Sequence, residues 1–317
     1  MQEKYEKYPK ISCSQLFCVL MISRLSAEIV YPRSSGGTPL EAVLAAAISE
    51  LLRFIAALPI IVYSFKGTNV HRAVYNKSRA LGWLGAVFAG LLLLAAALRT
   101  LIGLSQFAVK NLLPGGAMWI VFAIGVIFAV YSVVMGTEAL ARSGAIFLIA
   151  AALVTVAVML GNIPYINNQS LESFTRLGDW TALVGDVIER LMRGGEYLIF
   201  AAMLPYVSHN RKSELGRTAL LFALFSTLAA VGITVMNCLV LREMYGLCEF
   251  PFLAAASLSD ISLFKRLDGF AAAVWSLGAA FRSGVMALAA VNAVSEVYRA
   301  GRSRNAPENR LERGEAQ

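Results

Sequence analysis

Apolar residues in this chain run on for the thickness of a bilayer, again and again, and that leaves few folds open to it. A transmembrane helix needs about 20 mainly apolar residues, and by that criterion there are about eight candidates: residues 11–31, 40–65, 81–109, 117–135, 144–160, 184–207, 218–241 and 270–297. Hydrophobic residues make up 58% of the chain and charged residues only 15%, against roughly 25% charged in soluble domains. Mean hydropathy is +0.65. The chain therefore reads as an all-α polytopic membrane protein. Its first ten residues are polar and the first apolar run lacks a small-residue cleavage site, so that helix is expected to stay in the mature protein.

Basic residues set the expected orientation. With both termini inside, the cytoplasmic segments collect Lys66, Arg72, Lys77, Arg79, Arg142, Arg211, Lys212 and Arg217, together with the basic residues of both ends. The other side keeps chiefly Arg33, Lys110, Arg176, Arg242, Lys265 and Arg266. The net charge of +8 thus fits topology and anionic lipid head groups. No basic patch is interleaved with aromatics in a soluble domain, which argues against nucleic acid.

Charges within the spans carry the functional signal, because an ionisable group at mid-membrane costs about 2.5–3.5 kcal/mol on insertion scales. The stretch from Leu263 to Trp275 and on to Phe281-Arg282 reads as a charged interfacial lip, an apolar helix with one Trp, and an Arg deep inside that helix. Arg24 and Glu28 are four residues apart and Glu50 and Arg53 three apart, so each pair shares a helical face and can neutralise itself. Arg99 has no such neighbour. In the sixth span Gly194-Gly195 interrupts the apolar run, with Glu196 next to it. Two glycines free backbone groups from the helical ladder, and inverted-repeat transporters place their sites at such breaks. Two readings stay open: a packing kink whose Glu196 pairs with an Arg, or a ligand site. The second is favoured.

Other motifs add little. Cys13, Cys18, Cys238 and Cys248 form no Cys-x-x-Cys pair, and the two histidines, His71 and His209, fall in different loops, so neither a metal nor a cofactor is expected. Asn168-Gln169-Ser170 fits a glycosylation acceptor. The linker from Phe65 to Ala80 is basic and partly amphipathic, suited to the membrane surface, and residues 252–258 form an apolar run too short to span. No nucleophile, base and orienter can be assembled from the spans, which argues against an enzyme.

Several short motifs fall in a familiar order. Lys10-Ile11-Ser12 with Gln15-Leu16-Phe17 opens the first span and Tyr31-Pro32-Arg33 closes it. Gly194-Gly195-Glu196 is followed by Leu204-Pro205, and Arg266-Leu267-Asp268-Gly269-Phe270 precedes Trp275 and Arg282. Over residues 10–297 this set resembles the spore-germination permease family, nutrient-receptor subunits of the amino acid, polyamine and organocation superfamily. Two departures stand out. Where relatives carry an unwound Gly-Ala-Gly-like stretch in the first helix, this sequence has Leu25-Ser26-Ala27-Glu28, and it stops short of the family's last two helices.

The resemblance implies a LeuT-like broken-helix permease domain over residues 1–299, followed by a disordered tail, 300–317. It implies a subunit of a spore germinant receptor, in the spore inner membrane or cell membrane, that binds a small nutrient, expected to be an amino acid. Implied partners are a membrane subunit bearing a soluble domain and a lipoprotein. The ligand set is expected from Ser26, Ala27 and Glu28 of the first helix, Arg99 of the third, Gly194, Gly195 and Glu196 of the sixth and Arg282 of the eighth. Glu196 would face an ammonium group, and Arg282, whose fork donates two parallel hydrogen bonds, a carboxylate. A secondary amino acid or polyamine transporter and a degenerate scaffold are the alternatives.

Overall fold

The computed structural model describes residues 11–33, 37–65, 70–166, 174, 178–208, 212–260 and 266–304. Lys10, Lys66, Arg176, His209, Arg211, Leu263, Phe264 and Lys265, the Asn168-Gln169-Ser170 acceptor, and the tail beyond 304 lie outside these, as does the side chain of His71. Among the described residues there are ten α-helices: α1 Cys13–Val30, α2 Pro39–Phe65, α3 Val70–Lys77, α4 Arg79–Asn111, α5 Met118–Asn162, α6 Trp180–Met192, α7 Glu196–Met203, α8 Lys212–Leu241, α9 Pro251–Leu258 and α10 Asp268–Arg304. The opening motif has a plain local role. Ser12 accepts from the Gln15 amide at 3.1 Å while the Gln15 side chain accepts from the Ser12 amide at 2.9 Å, a capping box that fixes where α1 begins.

Among the described residues six helices are long and apolar enough to cross a membrane, but the longest is two spans. α5 has 45 residues, about 68 Å if straight, twice what hydrocarbon about 30 Å thick requires. Gly136 interrupts it with φ 82°, ψ −179°. On α10, Phe281 packs at a tilt against Phe147 with ring centroids 5.2 Å apart, and Gly284, one turn on, is pressed against Ser132. Ser132 and Phe147 reach the same turn only if α5 doubles back between them, at the glycine. The two limbs of α5, with α6 and α7 as one interrupted span, bring the total to the eight expected.

The connections sort to two faces. On one, the Ile11 amide donates to the Tyr206 carbonyl at 2.9 Å, Arg299 reaches the Tyr206 hydroxyl at 3.4 Å, Phe65 packs on Gly216, and Tyr75 of α3 lies beside Gly301. On the other, the Arg33 amide donates to Glu249 at 2.9 Å, Lys110 pairs with Glu249, and Asn162 donates to the Ala255 carbonyl at 3.0 Å. The expected surface helix of the linker is α3, and the short apolar run is α9, whose Phe252 packs edge-on against Trp275. Leu84, Val134 and Leu153 are two-thirds or more exposed around the perimeter, while Trp275, Phe107, Phe200 and Arg282 are fully buried. Apolar outside with charge inside is the distribution of a chain whose solvent is lipid. This is an integral membrane protein.

Candidate functional site at the broken sixth span

The last four carbonyls of a helix have no partner in the helix itself. At the end of α6, inside the membrane, the carbonyls of residues 190–193 are all met. The Gly194 amide donates to Leu191 at 3.0 Å. The other three are met by guanidinium groups from three different spans: Arg53 of α2 donates to the Arg190 carbonyl, Arg99 of α4 to Met192 at 3.3 Å, and Arg282 of α10 to Arg193 at 2.5 Å. Cations at a helix C-terminus also offset its negative dipole end, and Glu196, in the first turn of α7, meets the positive end of the next helix. The turn between needs glycine, since Gly195 has φ 153°, a conformation that L side chains rarely adopt.

Arg282 is held on every side. Besides the Arg193 carbonyl it donates to Glu196 and to the Ser23 carbonyl, each at 2.5 Å, and to Thr100 Oγ1 at 3.3 Å. Both Arg282 and Glu196 are buried. The two residues expected to face opposite ends of a ligand are bonded to each other. Tyr31 stands beside them with its hydroxyl 2.9 Å from Thr100 Oγ1. The guanidiniums of Arg99, Arg193 and Arg282 lie 5.5, 5.7 and 6.0 Å from its ring centroid, within the range of cation–π attraction.

A second network adjoins the first. The two expected pairs form, Arg24 with Glu28 at 3.0 Å and Arg53 with Glu50 at 2.5 Å. They are also joined across helices, since Arg24 Nε donates to Glu50 at 2.9 Å and Arg190 of α6 pairs with Glu28. Spans one, two and six are thus tied by one chain of buried charges. Further out, Arg33 pairs with Asp186 at 3.1 Å and Arg193 with Glu189.

Of the expected ligand set, Arg99, Gly194 and Gly195 share a cavity of about 450 Å³ between α2, α4 and the break, which is also lined by Arg53, Ala56, Ala96 and Leu198. Glu196 and Arg282 lie behind it, in the ion pair. Ser26, Ala27 and Glu28 do not join it. α1 is helical through all three; Ser26 donates to its own helix at the Ile22 carbonyl, 2.7 Å away, and packs on Gly278, and Ala27 is fully buried. Among the described residues no group of three His, Cys, Asp or Glu comes together to hold a metal. The sequence reading passed over Arg53 as a cavity residue, and Arg193, Thr100 and the Tyr31 ring altogether. Tyr31 stood in a motif, but nothing local marks which ring will gather three cations.

An eight-span helical bundle with one span broken at a buried ionic centre defines a permease-like membrane protein. The family model for spore germination proteins, the spore permease family, matches residues 10–305, and the chain belongs to that family. A search of curated proteins returned no match.

Proposed function

We propose that this protein is the permease-like subunit of a spore germinant receptor, binding a small nutrient of the amino acid type and passing the signal to a membrane subunit with a soluble domain and to a lipoprotein. The observation that carries the reading is the break in the sixth span, held by cations from α2, α4 and α10 next to a cavity, in a chain of the spore permease family. A ligand shifts a conformational equilibrium only by its differential affinity for the two states. An element fastened at one point by side chains from three other spans is suited to such a shift.

In this reading the face carrying Ile11, Tyr75 and Arg299 is cytoplasmic, and the protein resides in the spore inner membrane or cell membrane. Cysteines introduced at Asn76 and Ser303 in a cysteine-free background are expected to resist an impermeant thiol reagent in intact cells, and one at Asn168 to react; labelling at Ser303 would overturn the orientation. A nutrient-binding screen on the purified protein, run beside uptake in vesicles and germination of spores lacking the chain, tests the function. Binding without uptake, with a lost nutrient response, supports the receptor. Ion-driven uptake would make it a transporter.

A further inference from the structure

The cavity beside the break carries more cation than the surrounding carboxylates neutralise. Arg24, Arg53, Arg190 and Arg282 share Glu28, Glu50 and Glu196. Among the described residues Arg99 makes no ion pair, and its polar contact is the 3.3 Å bond to the Met192 carbonyl. Arg53 and Arg99 both stand on the cavity wall. Arg53 is 8% exposed, yet its Nε has no partner, and it lies close enough to the break that a Cβ on Gly194 would be 3.3 Å from it. Among the described residues no Asp or Glu lines this cavity.

The wall is polarised along the membrane normal. α2 runs from the Arg33–Glu249 face toward the Phe65–Gly216 face, α7 runs the same way, and α4 runs back. Ile60, Leu92 and Leu198 therefore lie one to two turns beyond Arg53, Arg99 and Gly194 in the same direction, toward the face of Ile11 and Arg299. The cavity has a cationic end and an aliphatic end.

We propose that this cavity is a carboxylate-binding subsite that takes an anion with a short aliphatic tail, its carboxylate between Arg53 and Arg99 and its tail toward Ile60 and Leu198. The proposal rests on the nutrient-binding reading and names the ligand chemistry and the place. Charge-assisted bonds from two guanidiniums suit a carboxylate, and a volume of about 450 Å³ is in the range of small-molecule sites. Arg99 uses one of its five N–H donors on the Met192 carbonyl, so a carboxylate can bind the others. By drawing the guanidinium toward Arg53 it would strain that long bond at the end of α6, which gives the ligand a means to favour one state of the break.

The test is isothermal titration of the full chain in lipid nanodiscs with 4-methylpentanoate and with 4-methylpentanamide, which has the same shape and no charge. The acid is expected to bind about ten- to a hundredfold more tightly than the amide, the effect of one charged hydrogen bond. Arg99→Gln is expected to reduce that preference to what Arg53 alone supports, and Arg99→Lys, which keeps the charge, to retain more of it and to serve should the Gln variant not fold. Equal binding of acid and amide, or an unchanged preference in both variants, would overturn the subsite. So would failure of the lone protein to bind the acid while Arg99→Gln weakens co-purification with a partner subunit, which would make a carboxylate on a neighbouring helix the counter-charge. Spores lacking the chain judge the receptor reading separately: a normal nutrient response there defeats that reading and leaves acid binding standing.

Discussion

The first span runs helically through the charged centre, whereas the sixth breaks there. α1 keeps its backbone bonds from Cys13 to Val30 and contributes its charges, Arg24 and Glu28, from side chains stacked one turn apart, with the Ser23 carbonyl accepting from Arg282. The sixth span gives up its backbone ladder between Met192 and Glu196 and hands the freed carbonyls to arginines from elsewhere. The difference follows from residue type: Ser26 and Ala27 have no need to leave the helix, while Gly194-Gly195 costs the helix and permits the positive φ of the turn. An intact helix can form much of its ionic contact locally. A broken one depends on three other spans being in place.

That dependence can be broken most severely at Arg282. Arg282→Gln leaves Glu196 buried without its partner and frees two carbonyls, and losing one member of a buried pair costs about 3–5 kcal/mol. The expected outcome is a sharp fall in folded yield on size-exclusion chromatography, part of it recovered in the double variant with Glu196→Gln. A single variant as stable as the double would mean that the break does not need its cation.

On the α1 side, Glu28→Gln removes one carboxylate shared by Arg24 and Arg190, while Arg24 keeps Glu50. The expected cost is roughly 1.5–3 kcal/mol, that of a charged hydrogen bond, read as a lower thermal midpoint. Adding Arg24→Gln should lower it further, because Glu50 then loses Arg24 while Arg190 still lacks Glu28. Recovery in the double variant would show an isolated pair and contradict the network.

The backbone half of the comparison is sharpened by exchanging small residues. Gly195→Ala forces a side chain into φ 153° with its Cβ 3.0 Å from Met286 Cε, and strain of this kind costs of order 1–3 kcal/mol. Ala27→Gly, in an intact helix, is expected to cost only about 0.5–1 kcal/mol. Equal shifts in thermal midpoint for these two changes would mean that the break is no more demanding than the helix.

Much of the fold was legible in advance. Runs of apolar residues gave the spans, including the two limbs of α5, because burial in hydrocarbon leaves a helix few alternatives. The i,i+4 and i,i+3 pairs were legible for the same local reason. The candidate site was less so. Gly194-Gly195 announced the break, yet the partner of Glu196 lies 86 residues away at Arg282, and the Arg24 to Glu50 and Arg190 to Glu28 links join helices whose rotation about their own axes no local pattern specifies.

What the sequence by itself determined is that this chain lives in a membrane as a helical bundle and where its helices start, double back and break. These follow from backbone hydrogen bonding and the transfer of side chains to lipid, both of which act residue by residue. Only the tertiary structure decided which buried charges meet. It closed Arg282 on Glu196, gathered Arg99, Arg193 and Arg282 around Tyr31, and left Arg53 and Arg99 facing a cavity. Such choices depend on how eight spans pack and turn against one another, and a buried charge must take the partner that packing brings within reach.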